Sequence, residues 1–328
     1  MKPPGVAWRE IIGADESARF QRYGEQLALL QRAATTRGGP GRALHRRQHL
    51  GLRASLEVLG DLPAHARQGL FVAPRRFDAH IRLSNGSGQH APDRKPDVRG
   101  FGLRVIGVDG PGALGTPTTA QCFLLINSAT FMARTTEDFM GVVLAAAHGP
   151  FRVLRHLMKR HGVFGGIKQA RLLRKGIGKP FAGFGCETFH SAAPIACGTH
   201  AAKVRLVPHN AELPAARRDA WSADLIERLA AGELHWDLQL QFYVDEATTP
   251  IEDPTILWPE AEAPFVTVAR LVAPAQDPTS ADGRQLAATI EAGVFDPWNA
   301  LAEHRPLGEI MRARKATYFA SQNERGVR

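Results

Sequence analysis

Residues 76–84 alternate apolar and polar side chains without a break. Phe77, Ala79, Ile81 and Leu83 fall on one face; Arg76, Asp78, His80, Arg82 and Ser84 fall on the other. A period of two belongs to a strand, because a helix would scatter the same residues around its circumference. Asn85-Gly86 then supplies a turn. The alternation returns at 235–244, where Trp236, Leu238, Leu240 and Phe242 interleave with His235, Asp237, Gln239 and Gln241. Shorter β-rich runs at 53–59, 101–108, 122–127, 203–208 and 264–272 join them, and a barrel of about eight strands is expected. With the polar faces taken as the inner ones, the pattern predicts a sheet closed around something polar. Helices are expected at 16–33, ended by Arg37-Gly-Gly-Pro-Gly41, from Thr135 to about His148, over 150–175, and over 213–231. No Pro/Ser-rich linker interrupts the 328 residues, so one α+β domain over 1–328 is expected: a closed antiparallel barrel with helices packed around it.

The last helix carries chemistry. At about 100° per residue, Arg314, Tyr318 and Arg325 lie within an arc of about 40°. Two guanidiniums thus flank a phenol on one face. A nearby arginine favours the phenolate over the phenol, and a phenolate is a hard anionic ligand that suits ferric iron. The plainer reading is an amphipathic terminal helix with one aromatic turned inward.

Other classes find less support. His45-x-x-x-His49 has zinc-protease spacing, but Arg46 stands where the catalytic glutamate is needed. There is no G-x-S-x-G, and Gly107-Val-Asp-Gly-Pro-Gly112 lacks a strand–turn–helix context. Three cysteines without a C-x-x-C, and no apolar stretch after Met1-Lys2-Pro3-Pro4, predict a reduced, cytoplasmic protein without a signal peptide. The net charge of +9 is concentrated in 150–175, which reads as a solvated face or as a weak membrane-surface contact. Few aromatics interleave with it, so no nucleic-acid partner is expected.

Six blocks, in order over residues 46–325, resemble the haem catalases. They are Arg46-Arg47-Gln48-His49, Ile81-Arg82-Leu83-Ser84, Asp97-Val98-Arg99-Gly100-Phe101, Glu252-Asp253-Pro254-Thr255 with Trp258, Phe295-Asp296-Pro297-Trp298-Asn299, and Arg314-x-x-x-Tyr318 with Arg325. The chain resembles most the short, catalase-related haem proteins, which keep the haem barrel and lack the long arms of large catalases. The resemblance implies a b-type haem (iron protoporphyrin IX) ligated by Tyr318 and supported by Arg314. Arg46, Arg82 and Arg325 would pair with its propionates, and Phe131 would stack on it. His49 would be the distal acid–base, with Ser84 fixing its tautomer, while His45 is expected to point elsewhere. The distal asparagine of the family falls on Thr119, with Gln121 or Asn127 as alternatives if the register slips; this departure disfavours fast dismutation of hydrogen peroxide.

The implied function is peroxide metabolism at a ferric haem, as an organic peroxidase, a catalase or both. Its partners would be hydrogen peroxide or an organic or lipid hydroperoxide, and an organic electron donor; self-association is left open. Two alternatives stand beside it: a fatty-acid hydroperoxide isomerase of the allene oxide synthase type, and a non-enzymatic haem or lipid-surface binding protein.

Overall fold

In a computed structural model, which describes residues 2–93, 95–209 and 220–327, nine strands form one antiparallel sheet. They are β1 (Gln48–Val58), β2 (Arg76–Asn85), β3 (Arg99–Pro111), β4 (Pro117–Ile126), β5 (Phe189–His190), β6 (Ile195–Cys197), β7 (His200–Pro208), β8 (Leu234–Phe242) and β9 (Phe265–Ala273). The sheet order is β5-β4-β3-β2-β1-β9-β8-β7-β6. Two-residue β5 also pairs with β7 through Phe189–Leu206 and His190–Arg205, which closes eight strands into a barrel. β6 stays outside the ring, paired to β7 alone. Closure removes most of the exposed edge that an open sheet of this size would present.

The barrel is filled from the apolar faces, not the polar ones. Leu52, Leu56, Ile81, Leu103, Leu206 and Leu238 have no exposed surface and belong to one core cluster. The expected polar interior is therefore corrected: the alternation was right, and the assignment of its faces was inverted. An eight-stranded ring leaves room for side chains to fill its interior and little more. Polar groups turned inward would find no water and few partners there. The consequence for function is direct. Arg82 and Ser84 lie on the outer wall of the barrel, so any site they share is built between the barrel and its helices.

Among the described residues, six helices surround the ring: α1 (Glu16–Gly38), α2 (Thr136–Ala146), α3 (Pro150–Ile177), α4 (Trp221–Ala231), α5 (Ala281–Ala292) and α6 (Glu309–Arg325). The expected 213–231 helix begins in residues outside the described set, and α4 is its described part. α5 and the short strands β5 and β6 were not foreseen; two or three residues carry too little periodicity to register. α2 starts where Thr135 predicts, its hydroxyl accepting from the Asp138 backbone N–H at 3.2 Å.

α6 is held in place from several sides. Trp298 Nε1 donates to the Met311 carbonyl at 2.7 Å, and Gln322 Nε2 donates to Asp296 Oδ2 at 2.5 Å. Arg312 binds Glu10, Glu16 and Glu252 at 2.7–2.9 Å. The blocks around Glu252 and Phe295-Asp296-Pro297-Trp298 thus act by anchoring the helix that carries Tyr318. α1 packs across α6, with Ser321 Oγ donating to Gln31 Oε1 at 2.7 Å.

Candidate active site

A cavity opens between the outer wall of the barrel and the layer formed by α1, α2 and α6. Its floor follows from strand register. Arg82 and Ser84 on β2 lie opposite Gly102 and Gly100 on β3, which lie opposite Leu124 and Ile126 on β4. All six line the cavity. The two glycines bare the backbone between a polar and an apolar edge. At Gly100 the requirement is steric, since a Cβ would come within 2.5 Å of His45 Nδ1 and 2.8 Å of Ser84 Oγ.

The histidine that reaches this cavity is His45. Its Nδ1 lies 3.0 Å from Ser84 Oγ. Its backbone is held from both sides: the N–H donates to Gly86 O at 2.9 Å, and the carbonyl accepts from Arg82 Nη2 at 2.8 Å. These bonds keep His45 at φ 51°, a left-handed conformation that a non-glycine residue adopts at some cost. Burial first, then repulsion from Arg82, Arg314 and Arg42, pushes its pKa down to about 3. The shift favours the neutral ring, which keeps one nitrogen as an acceptor.

His49 sits elsewhere. Its side chain has no exposed surface, with Nε2 at 2.6 Å from Asn85 Oδ1 and Nδ1 at 3.1 Å from Ser222 Oγ. Phe184 covers the ring at 5.2 Å, and burial pushes its pKa down to about 4. Arg99 donates to the same Asn85 oxygen and, at 2.9 Å, to the Asp93 carbonyl. His49 thus belongs to a packed network beside the cavity. It does not line the cavity, and neither does Arg46, whose guanidinium turns back onto the Gly39 and Arg42 carbonyls. The placement expected for both is corrected by a shift of four positions along the chain: Arg42-x-x-His45 has the same spacing as Arg46-x-x-His49, and only the earlier pair faces the cavity. The duplicated spacing is legible in the sequence and does not by itself favour either pair.

Thr119 is exposed on β4 and also stands apart. Gln121 is buried, its Oε1 accepting from the Leu301 N–H at 3.0 Å. Asn127 Oδ1 accepts from the Arg99 N–H at 2.8 Å. None of these three lines the cavity, and β4 meets it there with Leu124 and Ile126.

The remaining expected residues do come together. Arg82, Ser84, Phe131, Arg314, Tyr318 and Arg325 all line the cavity. Arg314 Nη2 donates to Tyr318 Oη at 2.8 Å, so the one-face argument for the last helix yields a real contact. Phe131 is pinned by its backbone N–H to Pro254 O at 2.9 Å and packs on Phe139 at 4.9 Å.

Three guanidiniums converge at the end of α5. Arg42 Nη1 lies 2.5 Å from Glu291 Oε1 and Arg82 Nε 2.8 Å from Glu291 Oε2. Arg42 and Arg325 both donate to the Gly293 carbonyl, at 2.9 and 3.0 Å. Burial, then repulsion from Arg82, pushes Arg42 down to about 9, and Arg325 is lowered chiefly by burial. One carboxylate against three cations leaves an excess that a dianion would neutralise. None of the cavity-lining residues is acidic. A ligand with two carboxylates at one end, apolar faces, and a centre that takes an anionic oxygen fits this donor set.

Removing Arg82 has a calculable cost. Arg82→Leu leaves Glu291 with one partner and the His45 carbonyl with none. The loss is expected at about 2–3 kcal/mol, less than for a fully buried pair because Glu291 is partly hydrated. Arg171→Leu, on the outer face of α3, is expected to cost under about 0.5 kcal/mol. Urea unfolding of the two variants compares them; equal, small losses would place Arg82 outside any essential clamp.

No family model matches the chain, and no curated protein matches it by sequence. Solved structures do match. A fungal catalase aligns at TM-score 0.66 and 18% identity over 90% of this chain and 61% of its own. Catalase A from Saccharomyces cerevisiae aligns at 0.67 and 17%, over 90% and 63%. A bacterial catalase aligns at 0.64 and 18%, over 100% and 63%. The chain spans about three fifths of the length of these proteins. At such identities the likeness concerns architecture: a closed eight-stranded antiparallel barrel with six helices around it, which is the catalase fold.

Proposed function

We propose that this chain is a haem-dependent oxidoreductase that consumes organic hydroperoxides, with Tyr318 as the iron ligand and His45 as the acid–base. The observation that carries the reading is the composition of one cavity wall by wall: a phenol bonded to a guanidinium, a histidine bonded to a serine, and three clustered arginines, two of them paired behind the lining with one carboxylate. Arg42, Arg82 and Arg325 would hold the propionates of a haem, and Tyr318 its iron. When bound, the haem supplies the electrons that cleave the O–O bond.

The protein's own part is proton handling and shape. With Nδ1 engaged by Ser84, Nε2 is the nitrogen of His45 available to a hydroperoxide proton. It takes that proton and returns it to the departing oxygen, which would otherwise leave as a costly alkoxide or hydroxide. Arg314 holds the Tyr318 oxygen in place through its 2.8 Å bond. Ile126, Leu124, Phe131 and Met140 give the cavity an apolar side, which suits an alkyl chain better than hydrogen peroxide. Isomerisation of a fatty-acid hydroperoxide would use the same residues and differs in needing no external electron donor.

The haem-loaded protein is expected to turn over cumene hydroperoxide with a phenolic donor at least about tenfold faster than it evolves oxygen from hydrogen peroxide, the difference that one missing hydrogen-bond donor makes. Ile126 lies in register with Gly100 and Ser84, beside His45. Ile126→Asn places an amide there and is expected to raise oxygen evolution by about tenfold. Rapid oxygen evolution by the unaltered protein, with no donor oxidised, would contradict the preference for organic peroxides.

A further inference from the structure

We infer that the bend in α3 docks this protein on an anionic lipid bilayer. α3 carries eight Lys or Arg residues and no Asp or Glu. It is not one straight helix: Gly162 breaks it, at φ 73° and ψ 172°. Beyond the bend, the chain folds back so closely that a Cβ on Gly166 would lie 2.5 Å from the Met158 backbone. The vertex of this bend holds Val163 and Phe164, which are 55% and 90% exposed. Phe151, at the start of the helix, is 75% exposed. Only Leu157 and Gly166 are buried along the whole element.

Charge and apolarity are arranged together. Lys159 and His161 precede the vertex, and Lys168 and Arg171 follow it. Among the described residues, Arg160 alone of the α3 cations has an ion-pair partner, binding Glu137 and Asp138 of α2. That pair ties the bend to the body and leaves the other cations to solvent. An apolar tip ringed by unpaired cations is what an anionic bilayer binds, with the aromatic entering the acyl boundary and the cations meeting the headgroups. An acidic protein or a nucleic acid would use the charges and leave Phe164 in water. No helix among the described residues is long and apolar enough to cross a membrane, so the contact is peripheral.

The location bears on the cavity. α2 packs against α3, and Thr136, Phe139 and Met140 of α2 line the cavity. Docking would turn this wall toward the lipid from which an alkyl hydroperoxide arrives. The docking itself does not rest on the haem reading, because its test needs no haem.

Sedimentation of the full chain with sucrose-loaded vesicles decides the matter. Vesicles of phosphatidylcholine with about 30% phosphatidylglycerol, comparable to an anionic membrane, are compared with phosphatidylcholine alone. Partition is expected to be at least about tenfold stronger to the anionic vesicles and to fall on raising salt from about 0.1 to 0.5 M. Phe164→Ser and the double variant Lys168→Glu, Arg171→Glu are each expected to weaken it about tenfold or more, with circular dichroism unchanged. Arg53→Glu, exposed on β1, serves as a charge control and is expected to stay within about twofold. Equal partition to both vesicle types would overturn the proposal. So would loss of binding on charge reversal with none in Phe164→Ser, the result expected of a nucleic acid or acidic protein site.

Discussion

His45→Ala is expected to lower the rate of reaction with a hydroperoxide by about 10²–10⁴-fold while haem uptake stays unchanged. The size follows from what the imidazole does. One proton must leave the oxygen that attacks and reach the oxygen that departs, and a fixed base within reach lowers the cost of both transfers. His45 is fixed by Ser84 on its ring and by Gly86 and Arg82 on its backbone. The clamp that would retain the cofactor rests on other side chains, those of Arg42, Arg82 and Arg325. His49→Ala should behave in the opposite way. It removes a ring bonded to Asn85 and Ser222 and is expected to cost about 1–3 kcal/mol of stability. Its effect on rate is expected to stay below about tenfold. Stopped-flow mixing of each haem-loaded variant with cumene hydroperoxide, alongside urea unfolding, separates the two roles. If His49→Ala loses the rate and His45→Ala does not, the acid–base assignment is wrong, and the part given to Ser84 goes with it.

The contrast between these histidines shows where the sequence was legible. Arg82 with Ser84, and Arg314 with Tyr318 and Arg325, were readable because each set lies on one regular element, where spacing dictates direction. Their convergence in one cavity follows from a barrel that brings β2 to face α6. Arg42 and His45 lie before β1, in a segment without regular structure, where spacing does not dictate direction. There the sequence offered Arg-x-x-His twice, and only the fold distinguishes them. Thr119 shows the same limit: counting along β4 gives its position on the strand, and the structure exposes it there, away from the cavity lining. The inverted barrel faces have a different cause. Alternation separates two sides of a sheet and leaves open which side is enclosed; packing decides it, and here the apolar side fills the ring. Glu291 carried no signal of its own, since a single acid on a surface helix is ordinary until two arginines are seen to reach it.

The most direct test of the central claim is a haem titration of the unaltered protein and of Tyr318→Phe, followed by absorption and by retention on gel filtration. Tyr318→Phe removes one oxygen and keeps the ring, so the packing of α6 against α1 is preserved. The Arg314 guanidinium loses its 2.8 Å partner but remains beside the cavity. The unaltered protein is expected to bind one haem with the spectrum of a ferric phenolate, and Tyr318→Phe to lose that spectrum and bind haem at least about 100-fold more weakly, equivalent to roughly 2.7 kcal/mol. Identical spectra and identical retention in the two proteins would remove Tyr318 from the iron, and the proposed peroxide chemistry with it.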